Sequence, residues 1–166
     1  MAQLIKKGAL IENSWQRLDD DSAVPASTDI IVSLPRWQAE REALLQHDGQ
    51  VGVCLQPGEE PEALAADLHT LPLIAIEFPQ FVDGRGYSYA RELRSRYQYQ
   101  GEIRAVGDVL KDQLFYLWRC GFDAFDIRAD KDAAEALAGL RDFSVTYQSD
   151  ARNPQPIYRR RDAAQQ

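Results

Sequence analysis

The residues best suited to chemistry lie in and beside the segment FPQFVDGRGYSYARELR at residues 78–94. Glu77 ends the strand-like run before this segment, and Asp83 and Arg85 stand in the glycine-containing loop that follows the run. A carboxylate can act as a general acid or base, and a guanidinium can hold an oxyanion through paired hydrogen bonds. The segment therefore predicts a small-oxyanion site, with Glu77 and Asp83 as candidate catalytic carboxylates and Arg85 as an anion ligand.

Two more charged residues end later strand-like runs. Asp108 follows the run EIRAVG, and Arg128 ends the run FDAFDIR. In parallel sheets ligands bind where the carboxyl ends of the strands meet. We therefore expect Asp108 to be a third candidate catalytic carboxylate and Arg128 a second anion ligand. Both would lie in one cleft with Glu77, Asp83 and Arg85. The structural alternative is that Asp108 is an ordinary helix N-cap and that both arginines pair with neighbouring carboxylates.

The loop also contains residues that suit a close approach of the backbone to an anion. Gly84 and Gly86 leave room beside the main chain, and Ser88 can cap the helical stretch YSYARELRSRY. A helix that starts there would turn its positive end toward the cleft. These three residues are predicted ligand-binding positions, although Asp83-Gly84 is also a common turn dipeptide.

Arginine and tyrosine residues are frequent in the same helical stretch, and both types are enriched in protein interfaces. Tyr87, Arg91 and Arg94 are therefore predicted partner-binding residues. A solvated helix face, with the arginines paired to Glu92, is an equally simple interpretation.

The elements that position these residues alternate along the chain. Strand-like runs begin near residues 29, 50, 73, 102, 122 and 143, with helix-like stretches between them. Repeated βα units predict an α/β fold with a mainly parallel sheet of five to six strands, either open and doubly wound or curved as a partial (β/α) barrel. An N-terminal hairpin around Lys7-Gly8 precedes them. We expect residues 1–150 to form a single domain and residues 151–166 an extended or disordered tail.

Composition and motifs exclude several classes of protein. A net charge of −7 opposes non-specific binding to nucleic acid or to an anionic membrane. No run approaches the roughly 18 apolar residues of a membrane span, so a cytoplasmic location is expected, with Cys54 and Cys120 reduced. The loop GRGYSY has Tyr89 where a dinucleotide site needs its third glycine, and no metal-spaced His/Cys set occurs. The sequence therefore shows no evident cofactor motif, which leaves the cofactor unknown, and it predicts no metal site.

The run from Phe78 to Arg128 resembles the signature of the DUF934 family of bacterial proteins of unknown function, and the resemblance extends from Leu4 to about Tyr147. Matching positions include Phe78, Pro79, Phe81, Asp83, Gly84, Arg85, Gly86, Tyr87, Ser88, Ala90, Arg91, Leu93, Arg94, Gly101, Glu102, Gly107, Asp108, Val109, Asp112, Gly121, Phe122, Asp123 and Arg128.

This resemblance implies an oxidoreductase or an accessory protein of sulfite reduction in assimilatory sulfur metabolism, and it brings no established catalytic residues. Because the chain lacks a recognisable flavin, nicotinamide, haem or cluster motif, we expect an accessory protein. It would dock on the sulfite reductase haemoprotein subunit or on its electron donor. A small-anion-binding enzyme is the alternative, and a flavin protein that uses the glycine loop on a phosphate is a third interpretation.

Overall fold

The computed structural model describes residues 3–141 and 143–163 and contains one curled sheet of eight strands. The strands are β1 Gln3–Lys6, β2 Ala9–Glu12, β3 Gln16–Arg17, β4 Ile30–Ser33, β5 Val51–Leu55, β6 Leu73–Phe78, β7 Glu102–Gly107 and β8 Ala124–Phe125. The α-helices are α1 Leu34–Leu44, α2 Arg85–Ser95, α3 Leu114–Cys120, α4 Ala133–Leu137 and α5 Ile157–Ala163. Short 3-10 helices lie at Pro61–Leu64, Lys111–Gln113 and Ala138–Arg141.

Strands β3 to β8 are parallel to one another and lie side by side in chain order. A doubly wound sheet reverses its strand order at a switch point, and these strands show no reversal. Right-handed crossovers that all advance in one direction place their helices on one face of the sheet. The predicted α/β class is confirmed, and of the two predicted arrangements the chain adopts the curved, half-barrel one.

The N-terminal hairpin forms as predicted, with β1 antiparallel to β2. Lys7 and Gly8 occupy its turn with φ of 49° and 78°, the left-handed conformation that tight hairpin turns require. The hairpin also joins the main sheet, because β1 pairs antiparallel with β8. The sheet therefore has more strands than the five to six predicted, and it is mixed.

The prediction of a strand at residues 143–148 is wrong, because the structure describes these residues and none of them is in a strand. The edge beside β8, where a sixth parallel strand would have paired, is occupied by β1. The segment lies on the surface instead.

Residues of each strand alternate between two faces of the sheet. The outer face contributes residues such as Ile74, Ile76 and Phe78 to the main hydrophobic core, which includes side chains of α1 to α4. The inner face carries a smaller apolar cluster of Ile31, Cys54, Leu73, Ala75 and Val106, and Trp15 packs against it.

A buried arginine fastens the N-terminal segment to the inner face. Arg104 is only 1% exposed. Its guanidinium donates to Glu102 at 2.6 Å and to the side-chain oxygen of Asn13 at 3.0 Å, and it lies 5.8 Å from the centre of the Trp15 ring. The loop between β2 and β3 therefore covers part of the inner face.

The expected C-terminal tail contains helix α5 and contacts the rest of the chain. Arg152 donates to the backbone oxygens of Trp118 at 2.9 Å and of Phe122 at 2.5 Å. Among the described residues, no helix is both long enough and apolar enough to cross a membrane.

Candidate functional site

Asp83 and Arg85, two predicted site residues, bind each other just before and at the start of α2. Arg85 Nε and Nη2 donate to the two oxygens of Asp83 at 3.0 and 2.7 Å. The backbone N–H of Arg85 also donates to Asp83, at 3.2 Å. The guanidinium is the main reason why the pKa of Asp83 lies below its ordinary value. Asp83 is therefore a weak base that stabilises the turn into the helix.

The start of α2 corrects the prediction for Ser88. The helix begins at Arg85, so Ser88 lies inside it rather than at the N-cap, because the turn at Asp83-Gly84 already starts the helix. Gly86 is buried, and a Cβ there would lie 2.7 Å from the Phe78 ring and 2.8 Å from Ile76. Close packing of the helix on β6 thus accounts for Gly86 without a ligand, whereas Gly84 is exposed.

Asp108 and Arg128 meet at the carboxyl ends of their strands, as the sequence predicts. Arg128 Nη1 donates to Asp108 at 2.8 Å, and the other oxygen of Asp108 accepts from the backbone N–H of Phe81 at 2.9 Å. Arg128 also binds Asp130 at 2.6 and 3.1 Å. Asp130 and then Asp108 raise the pKa of Arg128. The guanidinium already has two carboxylate partners, which weakens it as an anion clamp.

Glu77 lies on the inner face, where it accepts a hydrogen bond from Arg17 at 2.7 Å. Cys54, on the neighbouring strand β5, is buried, and burial raises the pKa of its thiol to about 12. A thiol with such a pKa stays protonated at neutral pH and is a poor nucleophile. Cys120 is also buried, and burial raises the pKa of its thiol too.

Sequence reasoning missed Asp126 as a candidate acid on the same inner face. Burial raises the pKa of Asp126 above its ordinary value, with Arg104 and Arg17 opposing the shift. Strand alternation was the available signal, since Asp126 stands two residues after Ala124 and so shares its face. A raised carboxyl pKa is a property of many general acids.

The five charged groups expected in one cleft are divided among three ion pairs. Glu77 binds Arg17, Asp83 binds Arg85, and Asp108 binds Arg128. Only the last pair joins predicted residues from different loops, because Asp83 pairs within its own loop and Glu77 pairs with Arg17, which was not predicted. Within residues 3–141 and 143–163, no three His, Cys, Asp or Glu side chains come close enough together to hold a metal ion.

The three predicted docking residues have different environments. Tyr87 is half-buried, with its ring 5.3 Å from Phe78 and 5.0 Å from Tyr116. Arg91 is exposed on α2. Arg94 binds Asp123 and donates to the backbone oxygens of Tyr99, Gly101 and Gly121. Arg94 therefore joins α2 to the loops before β7 and β8, which is a structural role. Arg91 is exposed.

An exposed apolar patch adjoins Tyr87, and the sequence did not predict it. We define the apolar patch as four side chains that are each more than half exposed, namely Tyr116 at 54%, Phe143 at 63%, Val145 at 59% and Tyr147 at 76%. They line a shallow cavity of about 500 Å³. Contiguous apolar groups on a surface mark interaction sites. The alternation of Phe143, Val145 and Tyr147 was the signal, but this pattern predicted a last strand of the sheet.

The family model for the bacterial proteins of unknown function called DUF934 matches residues 52–158. The chain belongs to this family. The DUF934 match includes α2, the Asp108–Arg128 pair and the whole apolar patch, and it begins after the hairpin and α1. No curated protein matches the chain by sequence. DUF934 membership is thus established for this chain, while its description assigns no activity.

Proposed function

We propose that this DUF934 protein is an accessory protein of assimilatory sulfite reduction that docks on the haemoprotein subunit of sulfite reductase. The observation that carries the docking role is the exposure of the apolar patch, whose four side chains are each more than half accessible. The pathway follows from the family resemblance of the segment at residues 78–128. The patch belongs to the matched region, so the proposal applies to the part of the chain that defines the family.

The composition of the patch suits a protein partner. Tyrosine and phenylalanine bury a large area at a small entropic cost, and they are frequent at the centres of interfaces. Arg119 on α3 lines the cavity of the patch but is paired with Asp150 at 3.1 Å, whereas Arg91, one helical turn after Tyr87 on α2, is exposed. An apolar depression on the haemoprotein, with an acidic group opposite Arg91, would complement this surface.

The ion pairs at the carboxyl ends of the strands favour docking over the alternative of an anion-binding enzyme. Arg85 and Arg128, the two expected clamps, are both paired with carboxylates. At Arg128, where all three guanidinium nitrogens bind carboxylates, an incoming anion would have to displace them, and at Arg85 it would have to compete with Asp83 for the guanidinium. The apolar patch needs no such rearrangement.

A deletion strain grown with sulfate as its sole sulfur source tests the proposal. We expect sulfite reductase activity to fall in the deletion strain and to return with the wild-type gene, but not with the double variant Val145→Ser/Tyr147→Ser. Because both side chains are exposed, the double variant should keep its stability within about 0.5 kcal/mol for each site, which urea unfolding can check.

Asp83→Asn and Arg85→Ala are the controls, and both should restore activity. Normal growth of the deletion strain, or full rescue by the patch variant, would contradict the proposal. Failure of Asp83→Asn and Arg85→Ala together with rescue by the patch variant would support the enzyme alternative.

A further inference from the structure

A cavity of about 660 Å³ opens at the amino ends of the strands, at the opposite end of the sheet from the loops that contain Asp83 and Asp108. Its lining includes Pro72, Gly101 and Asp123, which immediately precede β6, β7 and β8. Ala151 and Arg152, at the start of the C-terminal segment, complete the wall. The volume lies within the usual range for small-molecule sites.

The charged groups of this cavity are unbalanced. Four cationic side chains and two carboxylates line it, namely Lys6, Lys7, Arg94, Arg152, Glu102 and Asp123. Asp123 accepts from both Arg94 and Arg152, the second at 3.1 Å. Glu102 binds Lys6 at 2.6 Å and also the buried Arg104 at 2.6 Å. Each carboxylate therefore pairs with two cations. Because the lining itself has four cationic side chains and two carboxylates, it keeps an excess of two positive charges.

The excess charge is partly shielded from water. The side chains of Arg94 and Asp123 are 18% and 15% exposed, and that of Arg152 is 29% exposed. Burial lowers the pKa of Arg94, and the nearby charge of Arg152 lowers it further, although Asp123 opposes the shift. Positive groups crowded in this way attract an anion more strongly than fully solvated ones.

Hydrogen-bond donors also remain in the cavity. Arg152 uses Nε and Nη2 to bind backbone oxygens and Asp123, and these bonds hold its guanidinium in place. Within the part of the chain that the structure describes, Arg152 Nη1 and Lys7 Nζ make no hydrogen bond or ion pair. Arg152 and Lys7 stand on separate elements and both line this cavity, and both also line a neighbouring cavity of about 470 Å³ beside Trp118 and Phe125.

We propose that this amino-end cavity is a binding site for a doubly charged tetrahedral oxyanion, with Arg152 and Lys7 as its principal ligands and Lys6 as a third cation. Two excess positive charges in the lining match the two negative charges of such an anion. The site shares no residue with the apolar patch, and the inference does not rest on the proposed docking function.

Titration calorimetry with the full chain tests this site, using sodium sulfate and, at pH 7.5, inorganic phosphate, with chloride holding the ionic strength constant. We expect saturable binding of one sulfate or phosphate per chain. Arg152→Gln should weaken it by at least about tenfold, because a charge-assisted hydrogen bond is lost. Lys7→Asn should weaken it several-fold, and asparagine tolerates the positive φ at that position.

Lys131→Gln, an exposed lysine outside the cavity, is the matched control and should bind as wild type does. A thermal melt checks the fold of Arg152→Gln; if that variant does not fold, Lys7→Asn alone decides. Absence of saturable binding to the wild-type chain, or wild-type affinity in the folded variants, would overturn the proposal.

Discussion

At the scale of single residues, Gly84 and Gly86 are close in sequence but differ in their surroundings. Gly86→Ala would place a methyl group against Phe78 and Ile76, and we expect the free energy of unfolding to fall by about 1–3 kcal/mol. Gly84 has a φ of −88°, and no atom lies nearer than 3.9 Å to a Cβ built there. Gly84→Ala should therefore change stability by less than about 0.5 kcal/mol. Urea unfolding measures both, and equal losses would contradict the packing role of Gly86.

Residue patterns predicted some of these contacts and not others. The meeting of Asp108 and Arg128 was predictable because both follow adjacent parallel strands, whose carboxyl ends coincide. The pairing of Glu77 with Arg17 spans 60 residues of sequence and depends on how the N-terminal segment crosses the inner face. Local periodicity contains no information about that crossing. The role of Gly86 was likewise hidden, because a packing glycine and a ligand-facing glycine look the same in the sequence.

At the scale of elements, Asp67 joins α1 to the segment that follows the 3-10 helix Pro61–Leu64. Its carboxylate accepts from Trp37 Nε1 at 2.9 Å and from Arg41 at 2.9 and 2.6 Å. Asp67→Ala leaves the indole N–H of the buried Trp37 without a partner, which should cost about 1–3 kcal/mol. Arg41→Gln, which keeps the Trp37 bond, should cost less than about 1 kcal/mol. Chemical unfolding at pH 7 compares the two.

The same interaction makes stability depend on pH. Arg41 is the main reason why the pKa of Asp67 is lowered in the folded chain. The stabilisation is therefore fully present above the unfolded-state pKa of about 3.9 and is lost as the pH falls through the folded-state value. Between pH 5 and pH 2, the wild-type chain should lose more stability than Asp67→Ala. If the free energy of unfolding falls by the same amount in both chains between pH 5 and pH 2, this role of Asp67 is contradicted.

Elements with nearly continuous apolar runs, such as β4 to β6, were predictable because a parallel strand buried on both faces has a recognisable sequence. The segment at residues 143–148 has an equally strand-like pattern but forms no strand. A pattern of alternating apolar residues shows that one face of a segment is apolar. To form a strand, the segment must also pair with a sheet edge that no other strand occupies. β1 occupies the edge next to β8, so the apolar residues of the segment remain on the surface.

At the scale of the whole molecule, repeated βα units could not distinguish a doubly wound sheet from a partial barrel, since both contain the same elements. The order of the strands decides between them, and that order depends on the direction of each crossover. The resulting half-barrel presents three distinct surfaces. Its carboxyl end carries the Asp83–Arg85 and Asp108–Arg128 ion pairs, its amino end contains a cationic cavity, and the surface beside α2 and α3 carries the apolar patch.

The proposed docking of this DUF934 protein is tested most directly by titrating the full chain into the purified haemoprotein subunit of sulfite reductase. We predict a saturable complex whose dissociation constant rises by at least about tenfold in Val145→Ser/Tyr147→Ser. The control Phe81→Ser/Val82→Ser removes two exposed apolar side chains outside the patch, at 46% and 82% exposure, and should bind as wild type does. The absence of a complex at micromolar concentrations, or equal affinity of the patch variant and the wild-type chain, would contradict the account.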